Sequence, residues 1–152
     1  MIALKPAAVM ACDCKMPSGF TVSGNLSRGN KGCASPGRRP SQWVSSYSTL
    51  YNSYKNKKAS DILLTTTTTY ANGTLASWLN KGDSNEQALI VACYLEALAS
   101  GNDANWPKKD KFVAMWNQGV IGNSYTPPNQ TTPWGKAKVI SYLKFLTGQI
   151  PV

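Results

Sequence analysis

DSNEQALIVACYLEALA, residues 83 to 99, is the stretch on which the fold turns. Its first five residues hold two overlapping capping boxes, Asp83 with Glu86 and Ser84 with Gln87. In such a box a short acceptor side chain takes a backbone N–H of the first turn and the later acid or amide reaches back. From Ala88 to Ala99 the residues are apolar on nearly every side, and Glu96 carries the only charge. A helix with one apolar stripe can lie on a surface, whereas one that is apolar all round must be enclosed by others. The stretch predicts a central helix, ended by Gly101, and the rest of the chain must supply its jacket.

Working outward, Trp43, Val44, Tyr47, Leu50, Tyr51 and Tyr54 recur at the spacing of one helix face. Ser41 stands before them as an N-cap, and Lys55, Lys57 and Lys58 follow where cations suit a helix C-terminus. Leu75 to Leu79 reads as one or two turns ended by Gly82. Pro107 opens a helix through Phe112, Val113 and Trp116 that stops at Gly119. Thr132-Pro133 starts a last helix, with Val139, Ile140, Leu143 and Leu146 inward and Gly148 as its stop. Asp61-Ile62-Leu63-Leu64 leads into Thr65 to Thr69, whose β-branched side chains predict an extended segment, an edge strand or a helix that ends early. Residues 12 to 40 are rich in Gly, Pro and Ser and read as loop, with a short strand at Phe20-Thr21-Val22. The expected fold is mainly α: a small helical bundle of four to five helices over residues 41–152, preceded by a loop-rich, disulfide-bonded N-terminal arm over residues 1–40.

Val9-Met10-Ala11 places compact residues one and three positions before Cys12, the pattern that ends an export signal, so the apolar core of that signal is expected upstream of Met1. A lipid anchor at Cys12 is a rival reading. Another takes Met1 as the start and residues 1–11 as a flexible arm of an intracellular or viral protein. Cys12, Cys14, Cys33 and Cys93 are even in number and allow three pairings. A bridge between Cys12 and Cys14 closes a strained ring, so each is expected to bond one of Cys33 and Cys93, for about 2–4 kcal/mol per bridge. A metal site is the rival there, but a CxC with distant cysteines and no histidine has poor ligand spacing. No metal or other cofactor is expected.

Sixteen Lys and Arg against seven Asp and Glu give a net charge of +9, which favours anionic partners such as nucleic acid, acidic polysaccharide or a bacterial envelope. Arg28, Lys31, Arg38, Arg39, Lys108, Lys109 and Lys111 are the candidate polyanion contacts. The absence of histidine removes histidine-dependent triads and the commonest general acid and base. Asp83 and Glu86 read as caps. Glu96, costly to bury alone, is expected to pair with a lysine or tyrosine hydroxyls, and it is the best acid for a third reading as a small secreted enzyme or toxin. No phosphate loop or dinucleotide fingerprint is present. Trp106, Tyr125 and Trp134 border Pro-rich loops, where core packing or loop anchoring outweighs stacking on sugars or bases. No apolar run approaches the length of a membrane span.

Cys33-Ala34-Ser35-Pro36-Gly37-Arg38-Arg39-Pro40-Ser41-Gln42-Trp43 resembles the start of a loose group of exported bacterial proteins that carry a cysteine, an SPGYWKNHP-like motif and a later apolar helix. Asn85 to Ala97 resembles that helix. Arg38-Arg39-Pro40-Ser41 departs from the group's aromatic, lysine, asparagine and histidine. What the resemblance implies is export and the cell surface. The leading expectation is therefore a non-enzymatic extracellular or surface subunit, structural or adhesive. Such a subunit would associate with copies of itself, into rings or fibres, through Ile2, Leu4 and Val9 of the arm and Thr65, Thr67 and Thr69 of the threonine run. The alternative is a basic secreted protein that binds nucleic acid or another polyanion.

Overall fold

The computed structural model describes residues 37–45, 49–64, 73–100, 106–128 and 130–149. Among them are seven α-helices, one π-helical segment, two isolated β-bridges and no strand. The mainly α expectation holds, and the count of four to five helices is corrected upward. The strand expected at Phe20-Thr21-Val22 and the association residues Thr65, Thr67, Thr69, Ile2, Leu4 and Val9 lie outside the described residues.

The extra helices are short ones. The aromatic stripe predicted on one helix is divided between α1, Pro40–Ser45, and α2, Thr49–Tyr54, and buries Trp43 and Tyr51. Pro40 opens α1, where its missing N–H costs nothing, and Gln42 Oε1 accepts the Arg39 N–H at 2.8 Å. That contact is the returning half of a capping box, so Ser41 lies inside the helix instead of capping it. Helix α3, Ala59–Leu63, follows at once. It has no side-chain cap and ends at Leu64 in the left-handed conformation, φ 54°, so it carries neither of the usual end signals. Helix α4, Leu75–Leu79, is capped by Thr74, whose Oγ1 accepts the Ser77 N–H at 3.2 Å. A bridge between Lys58 and Thr74 ties the starts of α3 and α4 together.

Helix α5, Glu86–Ser100, is the central element, with Ala88 through Leu95 and Ala97 all buried. Its cap is Asn85, whose Oδ1 accepts from the N–H groups of Gln87 and Ala88 at 2.9 and 3.3 Å. The capping boxes at Asp83 and Ser84 are thereby corrected by one or two residues. Asp83 instead accepts the Ser41 N–H at 2.8 Å and its hydroxyl at 2.9 Å, which pins α1 to the entry of α5.

Helix α6, Lys109–Ala114, passes directly into the π-helical segment Met115–Ile121. Gly119 does not stop this helix as predicted. The widened turn continues through it, with the Gly122 N–H bonded to the Asn117 carbonyl at 3.2 Å. Asn117 also donates from its amide to the Leu63 and Val113 carbonyls, at 2.7 and 3.1 Å, and so locks the end of α3 onto this segment. Tyr125 and Trp134 then exchange backbone hydrogen bonds of 2.8 and 2.6 Å. Helix α7, Lys136–Leu146, follows an extended Gly135 at its N-cap, later than Thr132-Pro133 suggested. It ends in a Schellman motif: Gly148, φ 78°, bonds Phe145 O, and Gln149 bonds Lys144 O.

One core joins all of these elements, and Trp43, Trp78, Trp116 and Trp134 are among its largest fully buried side chains. No helix of the described residues is long and apolar enough to cross a membrane.

Cys93 overturns the predicted disulfide network in part. It is a free thiol with no exposed surface, 4.0 Å from the Leu143 carbonyl across the α5–α7 contact. Its side chain is enclosed between α5 and α7, with no other cysteine of the described residues to meet it. With Cys93 free, Cys12, Cys14 and Cys33 can make one internal bridge at most; all three lie outside the described residues. Burial, reinforced by the Glu96 charge, pushes the thiol well above its usual range, and the thiolate is the reactive form. Cys93 is therefore expected to resist a thiol reagent in the folded protein and to react only on unfolding, as timed labelling with and without denaturant will check. Fast labelling of Cys93 in native protein would show that α5 is not enclosed.

Candidate polyanion-binding surface

The segment Gly37-Arg38-Arg39 lies as a strap over the ends of two helices. The Gly37 N–H donates to the Leu146 carbonyl of α7 at 2.8 Å, and the Arg38 N–H donates to Glu96 Oε1 of α5 at 3.0 Å. The Arg38 guanidinium turns back on the same carboxylate at 3.7 Å and stands 4.6 Å from the centre of the Trp43 ring. Glu96 thus finds its partner in an arginine, where a lysine or tyrosine hydroxyls were expected.

Trp106 closes the other side of the strap. A β-carbon at Gly37 would lie 2.8 Å from the Trp106 ring and 3.1 Å from the Glu96 side chain, so the backbone there passes directly over the indole. Trp106 and Pro107 are buried, whereas the next two residues, Lys108 and Lys109, are exposed. Each side of this contact is followed two residues later by an exposed basic residue, Arg39 after Gly37 and Lys108 after Trp106.

Their charges are not equally available. Arg38 is engaged by Glu96. Arg39, Lys108 and Lys109 are exposed and form no ion pair among the described residues, Lys111 is half-buried, and Asp110 stands exposed between Lys109 and Lys111. Of the other described acids, Glu86 pairs with Lys136 at 3.0 Å and Asp83 is held by Ser41. Asp61 is exposed as well, and the neutral Ser41 leaves the Asp83 charge in place. Further basic residues sit elsewhere, with Lys57 5.4 Å from the Tyr54 ring centre and Lys138 5.1 Å from that of Trp134. Arg28 and Lys31 lie outside the described residues.

A shallow cleft of about 290 Å³ is lined by Ser41, Val44, Leu79, Asn80, Gly82 and Asp83. It falls at the floor of the roughly 300–1,000 Å³ usual for small-molecule sites, and Ser41 already occupies both oxygens of its carboxylate. No three metal-ligating side chains gather among the described residues. Burial, with the Asp110 charge adding to it, pushes the Tyr125 phenol up to about 12, and burial moves the Tyr142 phenol well upward too. These groups move away from neutrality, the wrong direction for proton transfer near pH 7. Trp106, Tyr125 and Trp134 are buried, as loop anchors should be.

Sequence reasoning missed the strap. The signal for it was Gly37 next to a proline, a residue without a side chain where the chain passes close to an indole. No protein-family model, curated protein or solved structure matches this chain.

Proposed function

We propose that the chain is a non-catalytic, exported protein whose helical domain binds polyanions on its basic surface. The observation that supports this reading is that Arg39, Lys108 and Lys109 are exposed and form no ion pair among the described residues, while Glu96 is already engaged by Arg38. The net charge of +9 acts in the same direction. A polyanion that gives up counterions to such a surface binds with an affinity whose logarithm falls linearly with the logarithm of salt concentration. The full chain is expected to be retained at low salt on immobilised heparin or DNA and to elute over a narrow salt range. Passage through both columns at low salt would end this reading.

A second reading keeps the self-associating surface subunit, and one observation favours it. Leu64 is 70% exposed, the only large apolar side chain so exposed among the described residues, and it stands directly ahead of the threonine run. A leucine held at φ 54° is strained, and burying it against another copy would offset that cost. Truncation of residues 1–11, and separately Leu64→Ser, are expected to lower the mass found by light scattering. Unchanged mass and morphology in both would defeat the second reading.

A further inference from the structure

We infer that Glu96 is an autoinhibitory competitor for Arg38: a bound polyanion draws the Arg38 guanidinium off the Glu96 carboxylate and the Trp43 ring onto an oxyanion of its own, a sulfate or a phosphate. This rests on the polyanion-binding reading and adds to it a control on the affinity of that surface.

The first observation is how weakly the guanidinium is held. Its Nη1 stands 3.7 Å from Glu96 Oε1, beyond the roughly 2.7–2.9 Å of a charge-assisted hydrogen bond. The Arg38 side chain is 46% exposed and that of Glu96 20%, and an ion pair so open to water contributes little. The other hold is the Trp43 ring, whose centre is 4.6 Å from the guanidinium carbon, and a cation over a ring beside solvent is a weak contact too. A sulfate or phosphate presents two oxygens to the planar fork, which gives two parallel hydrogen bonds in place of one long approach.

The second observation is that the guanidinium can leave while the strap stays docked. The Arg38 N–H donates to the same Glu96 Oε1 at 3.0 Å, and the Gly37 N–H donates to the Leu146 carbonyl at 2.8 Å. Both bonds come from the backbone, so neither breaks when the side chain swings away, and the carboxylate keeps a donor. Arg39, the next residue, is exposed and forms no ion pair among the described residues. An anion that reaches Arg39 is within one residue of Arg38. Glu96 is the acid that pairs with Arg38 among the described residues, and by holding that cation back it lowers the affinity of the surface.

The test is fluorescence anisotropy at low salt with the full chain, using labelled heparin oligosaccharide and, separately, a DNA duplex of matched charge, so that sulfate and phosphate are told apart as the source of the oxyanion. Glu96→Gln keeps an oxygen for the Arg38 N–H but removes the charge, and is expected to tighten binding of the preferred probe by about threefold. Asp61→Asn changes the net charge equally at an exposed site on α3, and is expected to gain clearly less. In an Arg38→Gln background, Glu96→Gln is expected to gain no more than Asp61→Asn does. Saturating ligand is expected to shift the tryptophan emission of the parent protein to the red as the guanidinium uncovers the Trp43 ring, and to leave the emission of Arg38→Gln in place. A gain in Glu96→Gln no greater than in Asp61→Asn, or one that persists without Arg38, would overturn the competition. Unchanged emission of the parent protein at saturation would overturn the transfer from Trp43, and that titration decides even where Glu96→Gln does not fold. Failure of the parent protein to bind either probe is the separate result that removes the underlying reading.

Discussion

Trp116→Ala is expected to leave the domain largely unfolded at moderate temperature. The indole is fully buried in the π-helical segment, its ring centre 5.2 Å from that of Trp78 at an interplanar angle of 52°. Truncating a buried tryptophan costs about 3–5 kcal/mol through lost transfer energy and the cavity left behind. A domain of this size has only about 5–15 kcal/mol in all. The site cannot collapse to heal the gap, because Asn117 next door is fixed to the ends of α3 and α6 by its two amide hydrogen bonds. A fall in the thermal midpoint of about 10 °C or more should be visible by circular dichroism. Trp116→Phe, which keeps a ring against Trp78, should recover part of it. An alanine variant that melts with the parent protein would show that the π segment is not packed as described.

Gly119→Ala sets two effects of opposite sign against each other. Alanine is the better helix former by about 1 kcal/mol, which alone would stabilise. Its β-carbon, however, would fall 2.7 Å from Val139 Cγ2 and 3.2 Å from Tyr125 Cβ. Neither neighbour yields easily, since valine is stiff at χ1 and Tyr125 is fixed through its bridge to Trp134. Overpacking of this kind costs about 1–3 kcal/mol, so net destabilisation is expected. Val139→Ala removes the offending methyl at the price of a small cavity. The double variant should be more stable than the two single losses predict, with a coupling of about 1 kcal/mol. Simple additivity in denaturant melts would mean that π-segment and α7 do not meet at this point.

How much of this was legible in the sequence depends on the range of the signal. Helix α5 was visible because burial on all sides leaves a long apolar run, and Gly148 marked the end of α7 because only a left-handed residue closes a Schellman motif there. The short helices were harder. Helix α3 lacks both a capping side chain and a terminal glycine, and α1 and α2 share one aromatic stripe that a single helix would explain equally well. The cap of α5 was misread because Asp83, Ser84 and Asn85 are all good capping residues, and only the approach of Ser41 from α1 takes Asp83 out of the competition. Cys93 could not be recognised as solitary until its face of α5 was seen against Leu143. The strap was half legible: Gly37 beside a proline marks a close approach of the backbone, but its meeting with Trp106 depends on how α5 and α7 pack.

That meeting has a mechanical side. Gly37 is bonded to the last turn of α7, so the first and last of the described residues lie at the same corner. Tension applied between residues 37 and 149 would load the Gly37 and Arg38 backbone contacts first, one after the other. The domain would peel open from that corner at low force, where a protein with its two ends on opposite poles must shear its whole interior at once.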